Sequence, residues 1–146
     1  MSILNGTYAH GTLLPEPQPF GEPFDITGEI QLENALDADT LDTGKEKLLV
    51  SAGRGNLMIH RLGENGVPVL VSELGGLGDS RQISVSEGFA YVTARADGLY
   101  ICDLRNPEKP ALAGRIDTLE LATGVCAADG VLAVTNRHMG CELWDV

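Results

Sequence analysis

Positive charge is scarce in this chain. Its 146 residues include 10 Lys and Arg against 21 Asp and Glu, a formal net charge of −11. Nucleic acid and anionic membranes are gripped by clustered cations that displace counterions, so neither is an expected partner. Apolar runs are short: none approaches the ~18 residues a membrane helix needs. The start, Met1-Ser-Ile-Leu-Asn-Gly-Thr-Tyr-Ala-His, has neither a basic opening nor a long apolar core, so no secretory leader is visible. Also missing are Gly-x-Ser-x-Gly, a phosphate loop, His-Glu-x-x-His and paired-cysteine metal spacings. The three histidines, His10, His60 and His138, lie far apart. No segment carries a helical period over 11 residues.

What is abundant is glycine, 18 residues, and repetition. Gly88-Phe-Ala-Tyr-Val-Thr-Ala-Arg-Ala-Asp-Gly-Leu-Tyr-Ile-Cys-Asp-Leu104 aligns without a gap on Gly130-Val-Leu-Ala-Val-Thr-Asn-Arg-His-Met-Gly-Cys-Glu-Leu-Trp-Asp-Val146, 42 residues on. A diverged third copy, Leu48–Leu62, sets Val50 on Val92, Leu57 on Leu99 and Ile59 on Ile101. A strand-rich period of about 40–45 residues is the mark of one propeller blade per repeat. Apolar residues fall on both faces of the second strand of each copy. A sheet wet on one side alternates more cleanly, and blades stacked face to face do not.

The expected fold is therefore all-β: a partial β-propeller of about three four-stranded antiparallel blades with a 42-residue repeat. Residues 1–23 read as an irregular lead-in, broken by Pro15, Pro17 and Pro19. Residues 24–146 read as the propeller domain, with an outer strand at 24–30 and blades at about 36–74, 79–116 and 122–146, the last incomplete. Rings typically hold about 4–8 blades. The reading is thus a fragment of a larger protein, or a chain that self-associates through open blade edges. The cysteines fall on strands too far apart to pair, next-nearest strands being about 10 Å apart. All three are expected as reduced, mostly buried thiols in a cytoplasmic protein.

Residues 88–114 resemble the LVIVD repeat of bacterial and archaeal β-propeller proteins. In that pattern a Gly-x-x-Ala-Tyr-Val strand leads to a Gly-Leu-x-Ile-x-Asp strand and a turn with two spaced prolines, here Pro107 and Pro110. The resemblance spans roughly residues 36–146 and weakens in 47–74, where Asn56 replaces the loop glycine and Arg61 the aspartate. It implies a propeller and almost no chemistry, because fold does not fix function.

In a propeller, the loops joining second to third strands share one end of the ring with those leading from an outer strand to the next inner strand. That end would present Arg54, Arg95, Arg137 and His138 from the first kind and Asp79, Arg81, Asp117 and Glu120 from the second. They form a candidate rim able to grip a small anion or a partner's loop. Arg95 and Arg137 recur at the repeat period, which equally suits pairing with a neighbouring carboxylate. His138 has no counterpart in the other copies. Asp103 and Asp145 are expected to cap the turns that follow them. Asp37-Ala-Asp-Thr-Leu-Asp42 superficially resembles a calcium loop but lacks the loop glycine and distal glutamate. No catalytic residue, metal or cofactor is assigned. The expected function is a noncatalytic protein-binding or scaffolding module whose partner is another protein or further blades of the same one. The alternative is part of a metal-dependent propeller hydrolase with its site in the ring channel.

Overall fold

The computed structural model describes residues 8–9, 12–13, 32, 34–63 and 67–146. The strand expected at 24–30 lies outside them. Near the start, β1 (Tyr8–Ala9) pairs antiparallel with β2 (Thr12–Leu13). From residue 37 the described chain is strand and turn throughout, in three antiparallel sheets of four, four and three strands.

The first sheet runs β3 (Asp37–Asp42), β4 (Lys47–Gly53), β5 (Asn56–Leu62) and β6 (Pro68–Leu74). The second runs β7 (Ile83–Ser86), β8 (Phe89–Thr93), β9 (Leu99–Asp103) and β10 (Ala111–Ile116). The third holds β11 (Ala122–Ala128), β12 (Val131–Asn136) and β13 (Gly140–Asp145). Each sheet is a simple up-and-down meander. The sheets stack face to face. Leu48, Val50, Leu57 and Ile59 of the first share one core with Ile83, Ala90, Val92 and Cys102 of the second. Tyr91 and Leu99, on the opposite face of the second, share another with Leu132 and Val134 of the third. Val50, Leu57, Ile59, Leu99 and Val134 are fully buried. Each such side chain contributes roughly 1.5–3 kcal/mol relative to an exposed one. These are stacked propeller blades, as the repeat implied.

The first strands lie innermost, with β7 packed between β3 and β11. Hydrogen bonds stitch them together. The Asp37 carboxylate accepts from Ile83 N–H at 3.0 Å, and Asp39 accepts from Val85 N–H at 2.7 Å. One sheet on, the Ser84 hydroxyl accepts from Ala127 N–H at 3.0 Å. The acidic segment with calcium-like spacing is therefore an inner strand. Two of its carboxylates are occupied by the edge N–H groups of the next sheet, which would otherwise be left without acceptors.

The pairing corrects the gapless alignment of the first copy. From Leu57 onward the 42-residue offset holds: Leu57 faces Leu74 as Leu99 faces Ile116, and the same β-bulge recurs before His60 and before Cys102. Val50, however, pairs with Ile59 where Tyr91 pairs with Ile101. Val50 is thus the equivalent of Tyr91, not Val92. The cause is the loop at Arg54–Gly55, one residue shorter than its counterparts, and a one-residue shift turns every side chain of a strand to its other face. Leu48 and Val50 accordingly face the following sheet, as Phe89 and Tyr91 do. The same shift makes Arg54 the counterpart of Arg95, and both adopt φ of 50°.

The thiols also depart from expectation. Cys102 is fully buried, and burial pushes its thiol up to about 12. Cys126 and Cys141 are exposed. They lie on the face of the third sheet turned away from the second, and no described sheet covers that face. Leu143, 72% exposed, lies there too, and β13 is an edge strand among the described residues.

Candidate functional site

Antiparallel meanders place hairpin turns at alternating ends. The turns at Glu87–Gly88 and Asp129–Gly130 fall at one end of the stack. The loops after β4, β8 and β12, and those entering β7 and β11, fall at the other, which carries all eight candidate residues.

Two constraints shape the loop after β8. Arg95 and Gly98 have positive φ, 50° and 76°. A side chain at Gly98 would run into the Ile116 carbonyl, so only glycine fits. Ala94 N–H closes the loop onto Gly98 O at 2.8 Å. Arg95 O in turn accepts from Ala122 N–H at 3.1 Å, tying this loop to the start of β11. In the first sheet, Gly55 N–H donates to Ser80 Oγ at 2.8 Å and Leu77 N–H to Gly55 O at 2.8 Å. The loops after β4 and β8 are thereby anchored on the segment that enters the next sheet.

The rim residues separate into groups. Asp79 Oδ2 accepts from Arg81 Nη2 at 3.1 Å and forms an ion pair with Arg95 Nε at 3.3 Å, so two guanidinium groups converge on one carboxylate oxygen. All three side chains are partly exposed, and such pairs hold geometry more than they add stability. Arg95 and Arg137 line one cleft together. Glu120 accepts from the His138 backbone N–H at 2.7 Å, which fixes the loop after β12. Neighbouring Leu119 N–H donates to Glu142 at 2.9 Å, and Asn136 also donates to Glu142. Asp117 instead pairs with Arg115 on the outer strand. Arg54 is exposed on its own sheet and lines neither cleft described next.

Two adjoining clefts open among these loops. One, of about 320 Å³, is lined by Leu36, Arg81, Gln82, Arg95, Ala122 and Thr123. The other, of about 310 Å³, is lined by Arg95, Leu121, Thr123 and Arg137. They share Arg95 and Thr123 and sit where the first strands of the sheets begin, at the inner mouth of the stack. Gln82, Thr123 and Leu121 were not foreseen as lining. Their only signal is position, next to the rim residues at the entry to an inner strand. His138, the residue unique to its copy, lines neither cleft. Among the described residues, no group of three His, Cys, Asp or Glu is placed to hold a metal ion.

The turn expectation holds at Asp103, which accepts from Arg105 N–H at 3.0 Å and pairs with its guanidinium. This contact holds the Asp103 carboxyl down at about 2. Arg105 also lies 5.0 Å over the Phe89 ring. This cluster belongs to the opposite end of the stack. His60 is a packed histidine whose burial lowers its basicity.

Stacked four-stranded meanders, stitched along their innermost strands, define a partial β-propeller. Residues 77–118 match the LVIVD repeat, so the chain carries a repeat of that family. The match covers β7–β10 together with Asp79, Arg81, Arg95 and Asp117. Among solved structures, the fold is similar to the computationally designed Ika8 protein, with 9% identity and a TM-score of 0.58. That similarity covers 80% of this chain, which spans 36% of the Ika8 chain. The computationally designed Ika4 protein has 7% identity over 80% of this chain and 96% of its own, with a TM-score of 0.47. At such identity the Ika8 likeness is one of fold alone. No curated protein matches the sequence.

Proposed function

We propose that the protein is a noncatalytic protein-binding module whose docking face is the loop end carrying Arg81, Arg95 and Arg137. The observation that carries this reading is the lining of the two clefts, in which every ionisable side chain is an arginine. Arginine supplies planar, permanently charged donors suited to carboxylates, and it is enriched where proteins recognise one another. On a chain of net charge −11 the cleft lining is a local exception, with Asp79, Asp97, Asp117 and Glu120 placed in the same loops but outside it. The loops that form it are each hydrogen-bonded to a neighbouring segment that enters a first strand, so the face is preorganised and binding orders little new structure.

A photo-crosslinking residue tests the reading. Placed at Met139, exposed in the loop after β12, it should yield a discrete crosslinked protein in cells of the native host. Placed at Asp129, in a turn at the opposite end, it should yield none. No adduct from Met139, or the same adduct from both positions, contradicts the assignment.

A further inference from the structure

We infer that the two clefts form one continuous groove for an acidic peptide segment, and that the Asp79 carboxylate competes with that segment from inside the protein. This rests on the reading of the loop end as a docking face and specifies what it recognises.

Three observations converge. First, the clefts, of about 320 and 310 Å³, share Arg95 and Thr123 and so lie side by side. A single small anion would fill little of that space, whereas an extended segment with successive carboxylates can span Arg81, Arg95 and Arg137. Second, every charged group of the lining is a donor: the guanidinium groups of Arg81, Arg95 and Arg137, with the Gln82 amide beside them. The Nε of Arg81 has no hydrogen-bond partner among the described residues, and a small turn of the side chain would bring it to a carboxylate in the cleft. Third, the protein already shows what the site accepts. Asp79 Oδ2 sits against both Arg81 and Arg95, while Asp79 itself lies outside the lining of both clefts. It orients the two guanidinium groups and occupies part of their hydrogen-bonding capacity.

The competition gives Asp79 a sign that a supporting role would not. An incoming carboxylate must share or displace it, so neutralising Asp79 should tighten binding. Removing an arginine should weaken it, since charge-assisted pairs with guanidinium are the stronger hydrogen bonds of such a groove.

The test is a titration of the ¹⁵N-labelled full chain with capped tetraglutamate, and separately with inorganic phosphate, at constant ionic strength. The readout is the arginine Nε–H resonances. Tetraglutamate should shift the resonances of Arg81, Arg95 and Arg137 saturably. Arg95→Gln should weaken binding about tenfold, the loss of one charge-assisted contact. Asp79→Asn should strengthen it several-fold, and Arg115→Gln, on the outer strand, should leave it unchanged. Backbone spectra of each variant report folding, and the wild-type titration stands if one variant fails to fold. No saturable shift with tetraglutamate overturns the proposal. So does saturation by phosphate without tetraglutamate, or weakening by Asp79→Asn. Failure here with intact crosslinking at Met139 would sink the groove and leave the docking face. The reverse would sink the protein-partner reading alone.

Discussion

Asp39→Ala should destabilise the stack of sheets although it removes no apolar contact. The Asp39 carboxylate accepts the Val85 N–H at 2.7 Å through one oxygen and the Thr40 N–H at 2.7 Å through the other. Val85 lies on the innermost edge of its sheet, partly buried, with its N–H directed away from its own ladder partner. Alanine leaves that donor without an acceptor. A hydrogen bond to a charged group is worth roughly 1.5–3 kcal/mol, and water reaching the half-buried site recovers part of it, so about 1–2 kcal/mol is expected. Ser84→Ala removes the same stitch one sheet on, with a neutral acceptor, and should cost about 1 kcal/mol. Asp39→Asn keeps an acceptor oxygen in place and should lose less than half of what alanine loses. Urea unfolding reads all three, and an unchanged denaturant slope shows that the shift is one of stability. A loss below about 0.5 kcal/mol for Asp39→Ala, which is the range of an ordinary surface change, would refute the stitching role. Equal losses for alanine and asparagine would refute the hydrogen bond as its cause.

Two of the three thiols should react with a thiol reagent in the native protein, Cys126 and Cys141, and Cys102 only on unfolding. Mass spectrometry of the labelled chain checks this, and fast native labelling of Cys102 contradicts the sheet packing. Burial raises the Cys102 thiol from its ordinary 9.0 to about 12. Above pH about 9 the unfolded chain has therefore released a proton that the folded chain keeps, so stability falls as pH rises from about 9 to 12. Cys102→Ala should flatten this alkaline limb of the stability profile, and an unchanged slope would place the titration elsewhere.

The fold was legible because its signal is periodic. Apolar strands and turn glycines recur every 42 residues from Leu57 to the end, and the hydrogen-bond registers recur with them. The first strand of the first sheet was harder to read. Asp37–Asp42 looks like a solvated acidic run because its role is to accept N–H groups 46 residues away, a contact no local pattern encodes. The one-residue difference in the Arg54 loop was invisible for a related reason. Val50 is apolar in either register, and only the side of the sheet it faces distinguishes them. At the loop end, the sequence pattern places Arg95 and Arg137 at equivalent positions of successive sheets, while the convergence of Arg81 and Arg95 on Asp79 depends on how the 75–82 segment crosses to its neighbour. His138, unique to its copy, lies outside the lining of both clefts, and its backbone N–H donates to Glu120.

The docking face is tested most directly by two charge reversals matched to each other in net charge. Arg95→Glu combined with Arg137→Glu reverses the arginine common to both clefts and the one at the far end of the second. Arg105→Glu combined with Arg115→Glu makes the same change in net charge outside them, at a turn of the opposite end and on the outer strand. With the crosslinker at Met139, the first pair should abolish the adduct and the second should preserve it. Loss in both would mean that bulk charge alone governs the encounter. Persistence of the adduct in the first would contradict binding through the arginine-lined loop end.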